Sequence, residues 1–560
     1  MDELSILKLT DLSTKVSRNG KSTGRNLKRD WEALERLNPF AEGFPEQNLG
    51  LWRDEKGFHT GAWCGCCWLK DEAGQILRER DGKPVVLSIS GRFSSLDPQR
   101  MLRMIAGDPE FSSYLCLDQQ DSSRRLINFF YSDPLIDAQE GILGDHQLLL
   151  ALSYVVFLEQ TTRRGLIRRM HVRAENYVGK IRGSLLVHRQ LSQNVARGRK
   201  ERMWCRFSEK TADVPENRIL KYALDKAEAC LRQKHDGKDN NDAGSLADVL
   251  RPRILLCRQR LAQVASVKMG PADVDRVILP AMYNCYRPLL QMAKQILRTV
   301  PLDFSEEKQE TKGVLPYGVN MPLLFECYVR TLLKKQLAEK NRKLEQEQAP
   351  DEGALARITL APFVADKQGL QQAWNARSGT ERDAAGYRPV TEENCYLSGC
   401  LVPDLVFCYY NYRKVSDKKN GEELRIAEKP DKIRVYDVKY KDPSRNDTAR
   451  DDRLQLLAYQ FLFQSLELVG LVFPEDPSYL KDQNYNRFTS PDFRCHKLNL
   501  EGASDGQGIY LQVPVHNPKN PDKPGCLECL WCPETLNFLC KKNALGELWK
   551  TQDDTEEGPG

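Results

Sequence analysis

Two short stretches in the last third of the chain place acids and a lysine at spacings that suggest chemistry. They are Val402-Pro403-Asp404-Leu405-Val406 and Val435-Tyr436-Asp437-Val438-Lys439-Tyr440. Both are rich in β-branched, aliphatic and aromatic residues, which is the composition of a strand. Alternation along the second puts Asp437 and Lys439 on one face, because side chains two apart point the same way. If the two strands pair, Asp404 meets them from its neighbour. Two carboxylates a few ångströms apart repel and call for a cation between them. Ligands that are all oxygen, here Asp404, Asp437 and the Val438 carbonyl, favour Mg²⁺ or Mn²⁺. A lysine beside them can orient or deprotonate water and offset charge on a pentavalent phosphate. The competing reading is a plain Asp437–Lys439 ion pair on an edge strand.

This is the physical content of the PD-(D/E)xK nuclease pattern, written here as Pro403-Asp404 and Asp437-x-Lys439. The helix expected over about 448–466 offers Gln455 and Tyr459, four apart and therefore on one face. That matches the Q-x-x-x-Y helix beside the active site in some families of this fold, with Gln455 steadying the site. The elements that must position these residues are strands over 401–412 and 432–440, the helix, and strands at 469–473 and 508–515. A polar insertion at 414–431 separates the two acidic strands. Strand, strand, helix, strand is the order of a small mixed α/β core.

The rest of the 560-residue, 64.1 kDa chain is long enough for three or four domains at about 150 residues each. Residues 1–56 read as a polar extension with one short helix near Trp31 to Leu37. Residues 57–145 read as a β-rich domain, with strands over 60–69 and 84–90, a turn at Asp81-Gly82 and a short helix over 96–105. Residues 146–310 read as a helical, basic connector, 311–545 as the catalytic domain and 546–560 as a flexible tail. Another helix is expected over 321–337, followed by a charged linker over 341–353. From Arg163 to Arg202 stand 12 Lys and Arg against two acids, a local balance of +10 in a chain whose net charge is +5. Such a run suits a polyanion or an acidic partner, and Lys180, Arg182 and Arg189 are its candidate contacts. No apolar run reaches the roughly 18 residues of a membrane span, and the first ten residues lack the order of a signal peptide. A cytoplasmic location with reduced cysteines is the expectation.

Three further motifs bear on chemistry. Gly20-Lys21-Ser22 has Lys15 where a phosphate-binding loop needs its first glycine, and no apolar strand precedes it. No nucleotide site is therefore expected, and nucleotide hydrolysis would fall to a partner. Cys526, Cys529, Cys532 and Cys540 form a dense cluster in which thiols spaced by two can converge on one ion. Four thiolates suit structural zinc, and a run of three also suits an iron–sulfur cluster. The alternative is a set of buried free thiols. For Cys64-Gly65-Cys66-Cys67, core packing is the expectation.

Several short motifs in collinear order extend the reading. They are Ile89-Ser90-Gly91-Arg92-Phe93, Arg164-Gly165-Leu166, Lys180-Ile181-Arg182-Gly183, Phe207-Ser208-Glu209, Glu216-Asn217-Arg218-Ile219-Leu220-Lys221, Met321-Pro322-Leu323-Leu324-Phe325-Glu326, Asp437-Val438-Lys439-Tyr440-Lys441 and Asp452-Arg453-Leu454-Gln455 with Tyr459. In this order they resemble the McrC family, the nuclease subunit of modification-dependent restriction systems. The resemblance implies a β-rich amino-terminal region that engages a hexameric AAA+ GTPase of McrB type, and a carboxy-terminal PD-(D/E)xK domain that cuts DNA. It also implies a role for Glu326, since an acid on the first core helix reaches toward the metal in several branches of the fold. A helix-surface glutamate is the alternative there. The chain departs from the family in its first 56 residues, in the enlarged hairpin at 411–431 and in its cysteine content. Two other functions stay open at this stage: a non-catalytic adaptor that activates a AAA+ partner, and a stand-alone DNA-processing nuclease.

Overall fold

A computed structural model describes residues 4–10, 48–54, 57–71, 73–79, 81–93, 96, 98–111, 115, 125–137, 146–232, 245–300, 313–346, 351–361, 403–417, 421–441, 452, 454–457, 459, 466–474, 495–498, 507–513 and 527–532. The chain opens with strands β1 (Ser5–Thr10), β2 (Trp52–Asp54), β3 (Gly57–His59), β4 (Trp63–Trp68), β5 (Val85–Ser90) and β6 (Ile127–Phe129). Three strands interrupt the helical middle: β7 (Arg169–Val178), β8 (Ser184–Leu185) and β9 (Arg202–Thr211). Then come β10 (Tyr317–Asn320), β11 (Leu355–Leu360), β12 (Leu405–Asp417), β13 (Gly421–Ile426), β14 (Lys432–Val438), β15 (Leu466–Pro474), β16 (Cys495–Leu498) and β17 (Gln507–Val513). The result is a mixed α/β protein with several sheets.

The amino-terminal sheet has the order β1-β5-β4-β10-β6. Along β4 the side chains alternate between two cores. Cys64, Cys66 and Trp68 enter the main core, while Trp63 and Cys67 enter a smaller one with Leu7, Leu49 and Leu87. Apolar cover on both faces explains the unbroken run WCGCCW. Gly65 has φ +148°, and a Cβ there would lie 2.2 Å from the Tyr317 carbonyl oxygen, so the close approach of β10 requires glycine. Two differences from the sequence expectation appear here. Ser5–Thr10 is an edge strand paired in parallel with β5, not part of a featureless extension. Strand β10, expected in the catalytic domain, is hydrogen-bonded into this sheet. The helix expected near Trp31 and the tail at 546–560 lie outside the described residues.

The middle of the chain is helical where apolar residues recur at helical spacing. His146–Arg163 is apolar all round and is buried by Pro215–Arg232, Arg251–Arg260 and Tyr286–Thr299. Its buried Glu159 meets Arg163 at 2.6 Å and Arg253 at 2.7 Å. No single helix spans 272–298: Pro280 and a short 3-10 turn at Ala281–Tyr283 separate the helices Pro271–Asp275 and Tyr286–Thr299. The basic stretch is not helix alone: β7, β9 and β8 form a separate sheet with largely exposed surfaces, and only residues 187–197 between β8 and β9 are helical.

From β10 the chain runs directly into a 26-residue helix, Met321–Gln346. It continues well past 337, and the presumed linker begins as helix: Asn341 bonds both the N–H and the carbonyl of Ile358. The carboxy-terminal sheet has the order β11-β12-β14-β15-β17-β16, with β13 folded back on β12. β11 and β16 were not expected; β13 comes from the insertion. β14, β15 and β17 are mutually parallel, and the β14–β15 crossover contains the helical residues 452, 454–457 and 459.

Candidate active site

β12 and β14 are antiparallel neighbours, with Leu405 opposite Tyr436 and Val406 opposite Val435. One further step in that register sets Asp404 opposite Asp437, where facing Cβ atoms lie about 4.5–5.5 Å apart. The Val438 N–H donates to Asp404 Oδ2 at 2.8 Å, which ties the two strand ends together. Backbone N–H and carbonyl of one strand residue point to the same side, so the Val438 carbonyl is turned toward Asp404 as well. Facing is set by packing. Val406, Cys408, Ile433 and Val435 pack with Leu456 and Tyr459, whereas Leu405, Phe407 and Tyr436 enter the main core with Phe325 and Tyr328. Alternation therefore turns both aspartates toward the helix that carries Gln455 and Tyr459.

Around Asp437, which is 3% exposed, four side chains close a ring. Lys439 Nζ forms an ion pair with Asp437 Oδ2 and donates to Gln455 Oε1 at 2.7 Å. Gln455 Nε2 donates to the Tyr459 hydroxyl at 2.7 Å, and that hydroxyl donates to Asp437 Oδ1 at 2.9 Å. Every link has a matched donor and acceptor, the condition under which a buried polar network is tolerated. Burial works against the charge on Lys439, but the neighbouring Asp437 carboxylate, reinforced by Asp404 and Asp452, raises its pKa above the usual lysine value. Burial, with the charges of Asp437 and Asp404, pushes the Tyr459 hydroxyl far up, so it stays a donor. The Lys439 N–H donates to the Val472 carbonyl at 2.8 Å, anchoring the lysine to β15.

Arg330 belongs to the site although sequence reasoning passed over it. It lies on the helix Met321–Gln346, is 1% exposed, and donates to the carbonyls of Asp404 at 2.6 Å and Ala361 at 2.7 Å. The signal was available: a lone arginine in the apolar run Tyr328-Val329-Arg330-Thr331-Leu332-Leu333. Glu326 is half-buried one helical turn earlier, on the helix that packs against the other face of the sheet. The ring around Asp437 closes without it.

The remaining candidates lie elsewhere. Lys180, Arg182 and Arg189 belong to the β7–β9 region, where each cation stacks on an aromatic ring: Lys180 on Tyr177 at 5.1 Å, Arg182 on Phe207 at 4.0 Å and Arg189 on Trp204 at 5.4 Å. Gly183 follows Arg182 because a turn with φ +75° is needed, and a Cβ there would lie 2.4 Å from the Arg206 carbonyl oxygen. Of the cysteine cluster, Cys526 and Cys540 lie outside the described residues. So does the side chain of Cys529, on the short helix Glu528–Trp531, while Cys532 is half-buried. That helix is held to the sheet by the hydroxyls of Tyr409 and Tyr436, which donate to the carbonyls of Trp531 and Leu530. Among the described residues no group of three or more His, Cys, Asp or Glu side chains is arranged to hold a metal. The oxygen atoms that could hold a cation are those of Asp404, Asp437 and the Val438 carbonyl, a set whose chemistry would fit Mg²⁺ or Mn²⁺.

Fold and site together define a mixed α/β protein with paired acids and a lysine at the ends of two inner strands of one sheet. Residues 138–357 match the family model described as McrBC 5-methylcytosine restriction system component. Over that segment the chain is similar to an McrBC component, in keeping with the resemblance drawn from its motifs. The match ends before β12, so it does not reach the aspartates. Among solved structures, one similar chain comes from a half-complex of a tetradecameric assembly of Thermococcus gammatolerans McrB AAA+ hexamers with bound McrC. It is 12% identical, with 91% of this chain and 95% of that chain covered and a TM-score of 0.30. A second, from the Thermococcus gammatolerans McrBC complex, is 14% identical over 60% of this chain and 88% of that one, with a TM-score of 0.24. Likenesses this loose carry no argument about the site. No curated protein matches the sequence.

Proposed function

We propose that this chain is the DNA-cutting subunit of an McrBC-type restriction system, hydrolysing phosphodiesters at a metal-dependent PD-(D/E)xK site in its carboxy-terminal domain. The observation that carries the reading is the closed ring of Asp437, Lys439, Gln455 and Tyr459 beside Asp404. A surface ion pair would not need a half-buried glutamine and a buried tyrosine to hold both its members. Asp404, Asp437 and the Val438 carbonyl would hold Mg²⁺ or Mn²⁺. Bound there, the cation would supply Lewis-acid stabilisation of a phosphoryl oxygen and lower the pKa of a water. The side chains do the rest. An ammonium has three N–H donors; Asp437 and Gln455 take two from Lys439, and we assign the third to the attacking water or a phosphate oxygen. Its raised pKa keeps that donor charged at neutral pH.

For control of cutting, the reading pairs the chain with a AAA+ GTPase hexamer; McrB AAA+ hexamers are what McrC is bound to in the Thermococcus gammatolerans assembly. The amino-terminal strands β4 and β5 are covered on both faces. The β7–β9 sheet offers a better purchase, because it exposes apolar side chains such as Met170 at 59% and Ile181 at 62% beside its arginines. DNA is the proposed substrate. Zinc or an iron–sulfur cluster at Cys526, Cys529, Cys532 and Cys540 would be a structural staple, since thiolates do not suit magnesium.

The test is a nicking assay with the cognate GTPase, Mg²⁺ and modified DNA. Asp437→Ala should abolish cleavage while leaving folding and partner assembly intact. If that variant cuts like wild type, the catalytic reading gives way to the adaptor reading, in which the chain only activates its partner.

A further inference from the structure

Arg330 is among the largest fully buried side chains of the described residues, and its surroundings join two parts of the molecule. On one side its guanidinium grips the carbonyls of Asp404 and Ala361. These are the residue just before β12 and the residue just after β11, whose strands are antiparallel neighbours. Two N–H groups of one planar fork reach two carbonyls at once, a geometry lysine does not reproduce. The backbone from which the Asp404 side chain departs is therefore held by a group on a helix. On the other side stands a turn of the amino-terminal region, Asp108 to Glu110. Glu110 Oε2 lies 3.8 Å from Arg330 Nη2 and also pairs with Lys334. The buried Asp108 accepts from Thr331 Oγ1 at 3.0 Å and from Lys334 Nζ, and its Oδ1 takes the Glu110 N–H at 2.8 Å. The helix that carries Arg330, Thr331 and Lys334 is itself continuous with β10, an inner strand of the amino-terminal sheet.

We propose that Arg330 is a positioning residue for the cleavage site: it fixes Asp404 for metal binding and couples that aspartate to the Asp108–Glu110 turn of the amino-terminal region. The coupling rests on the metal-site reading above. A shift of the turn or of the helix moves the guanidinium, and the guanidinium moves the carbonyl of a metal-holding residue. The amino-terminal region thus has a direct mechanical route to the site, with no need for a long chain of contacts.

The full-length protein is titrated with Mn²⁺ alone, with free ion followed by electron paramagnetic resonance. Arg330→Lys keeps the charge but loses the fork, and should weaken Mn²⁺ binding about ten-fold, as loss of an outer partner does in metal sites. Glu110→Gln, at a half-exposed position, should shift binding in the same direction by less. In the nicking assay the Mg²⁺ concentration for half-maximal rate should rise in parallel, while the rate at saturating Mg²⁺ recovers toward wild type. A general loss of structure would not produce that split. Mn²⁺ affinities of both folded variants within two-fold of wild type overturn the proposal, and Glu110→Gln decides alone if Arg330→Lys fails to fold. Asp437→Ala in the same titration separates the two readings. If it binds Mn²⁺ normally, the metal site itself is misassigned. If it loses binding while Arg330→Lys retains it, only the positioning role falls.

Discussion

Tyr459 is fully buried, and its hydroxyl is both acceptor from Gln455 and donor to Asp437. Removing that one oxygen leaves a half-buried amide hydrogen and a buried carboxylate oxygen each short of a partner. Tyr459→Phe should therefore cost about 1–3 kcal/mol of stability, read by denaturant unfolding. It should slow nicking less than Lys439→Ala, because Lys439 keeps its contacts with Asp437 and Gln455 Oε1. Lys439→Ala removes the one cation of the ring and should lower the rate ~10²-fold or more while metal binding persists. Equal nicking by Lys439→Ala and wild type would strip the lysine of its role.

The helix Pro215–Arg232 shows how an element is tied in place. Arg218 grips Asp213 through Nε and Nη2, both at 2.7 Å, and Asp213 also accepts the Ala265 N–H at 3.0 Å. The Arg218 hydrogen bonds, with smaller help from Ala265, lower the Asp213 carboxyl to about 2. A carboxylate with a depressed folded pKa contributes stability that is present above its unfolded value, near 3.9, and is lost as pH falls through the folded one. The contribution should fade between about pH 4 and pH 2. Titration of Asp213 by carboxyl-carbon NMR should show a midpoint near 2, and Asp213→Asn should remove that step. A midpoint close to 4 would mean the Arg218 grip is absent in solution.

Across the whole molecule, chemistry is partitioned by burial. Burial pushes the thiols of Cys66, Cys230 and Cys257 up to about 12, whereas Cys285 is exposed. Among the described cysteines, native-state maleimide labelling followed by mass spectrometry should modify Cys285 first and leave those three untouched. Early labelling of Cys66 would contradict the packing of β4. Nucleotide chemistry is assigned elsewhere: purified alone, the chain should hydrolyse neither GTP nor ATP, since Gly20-Lys21-Ser22 lacks the rest of a phosphate cradle. Turnover by the isolated chain would reassign that segment. No helix among the described residues is long and apolar enough to cross a membrane.

Sequence alone determined what local pattern determines. The alternation in Val435-Tyr436-Asp437-Val438-Lys439 set Asp437 and Lys439 on one face, and the four-residue step from Gln455 to Tyr459 set those two on one side of a helix. Strand-like composition between turn signals likewise placed strands β4 and β5. Tertiary structure decided what depends on residues far apart in the chain. Strand β1 pairs with β5 across about 80 residues, and β10 joins β4 across about 250. A six-residue polar-apolar stretch such as Ser5–Thr10 carries no sign of a partner so distant. The basic run forms strands because β7 and β9 satisfy each other's backbone, a fact invisible in its charge count. Arg330 illustrates the limit most clearly. Its type marked it as unusual on an apolar helix, but the two carbonyls it holds belong to strands that only the folded sheet brings together.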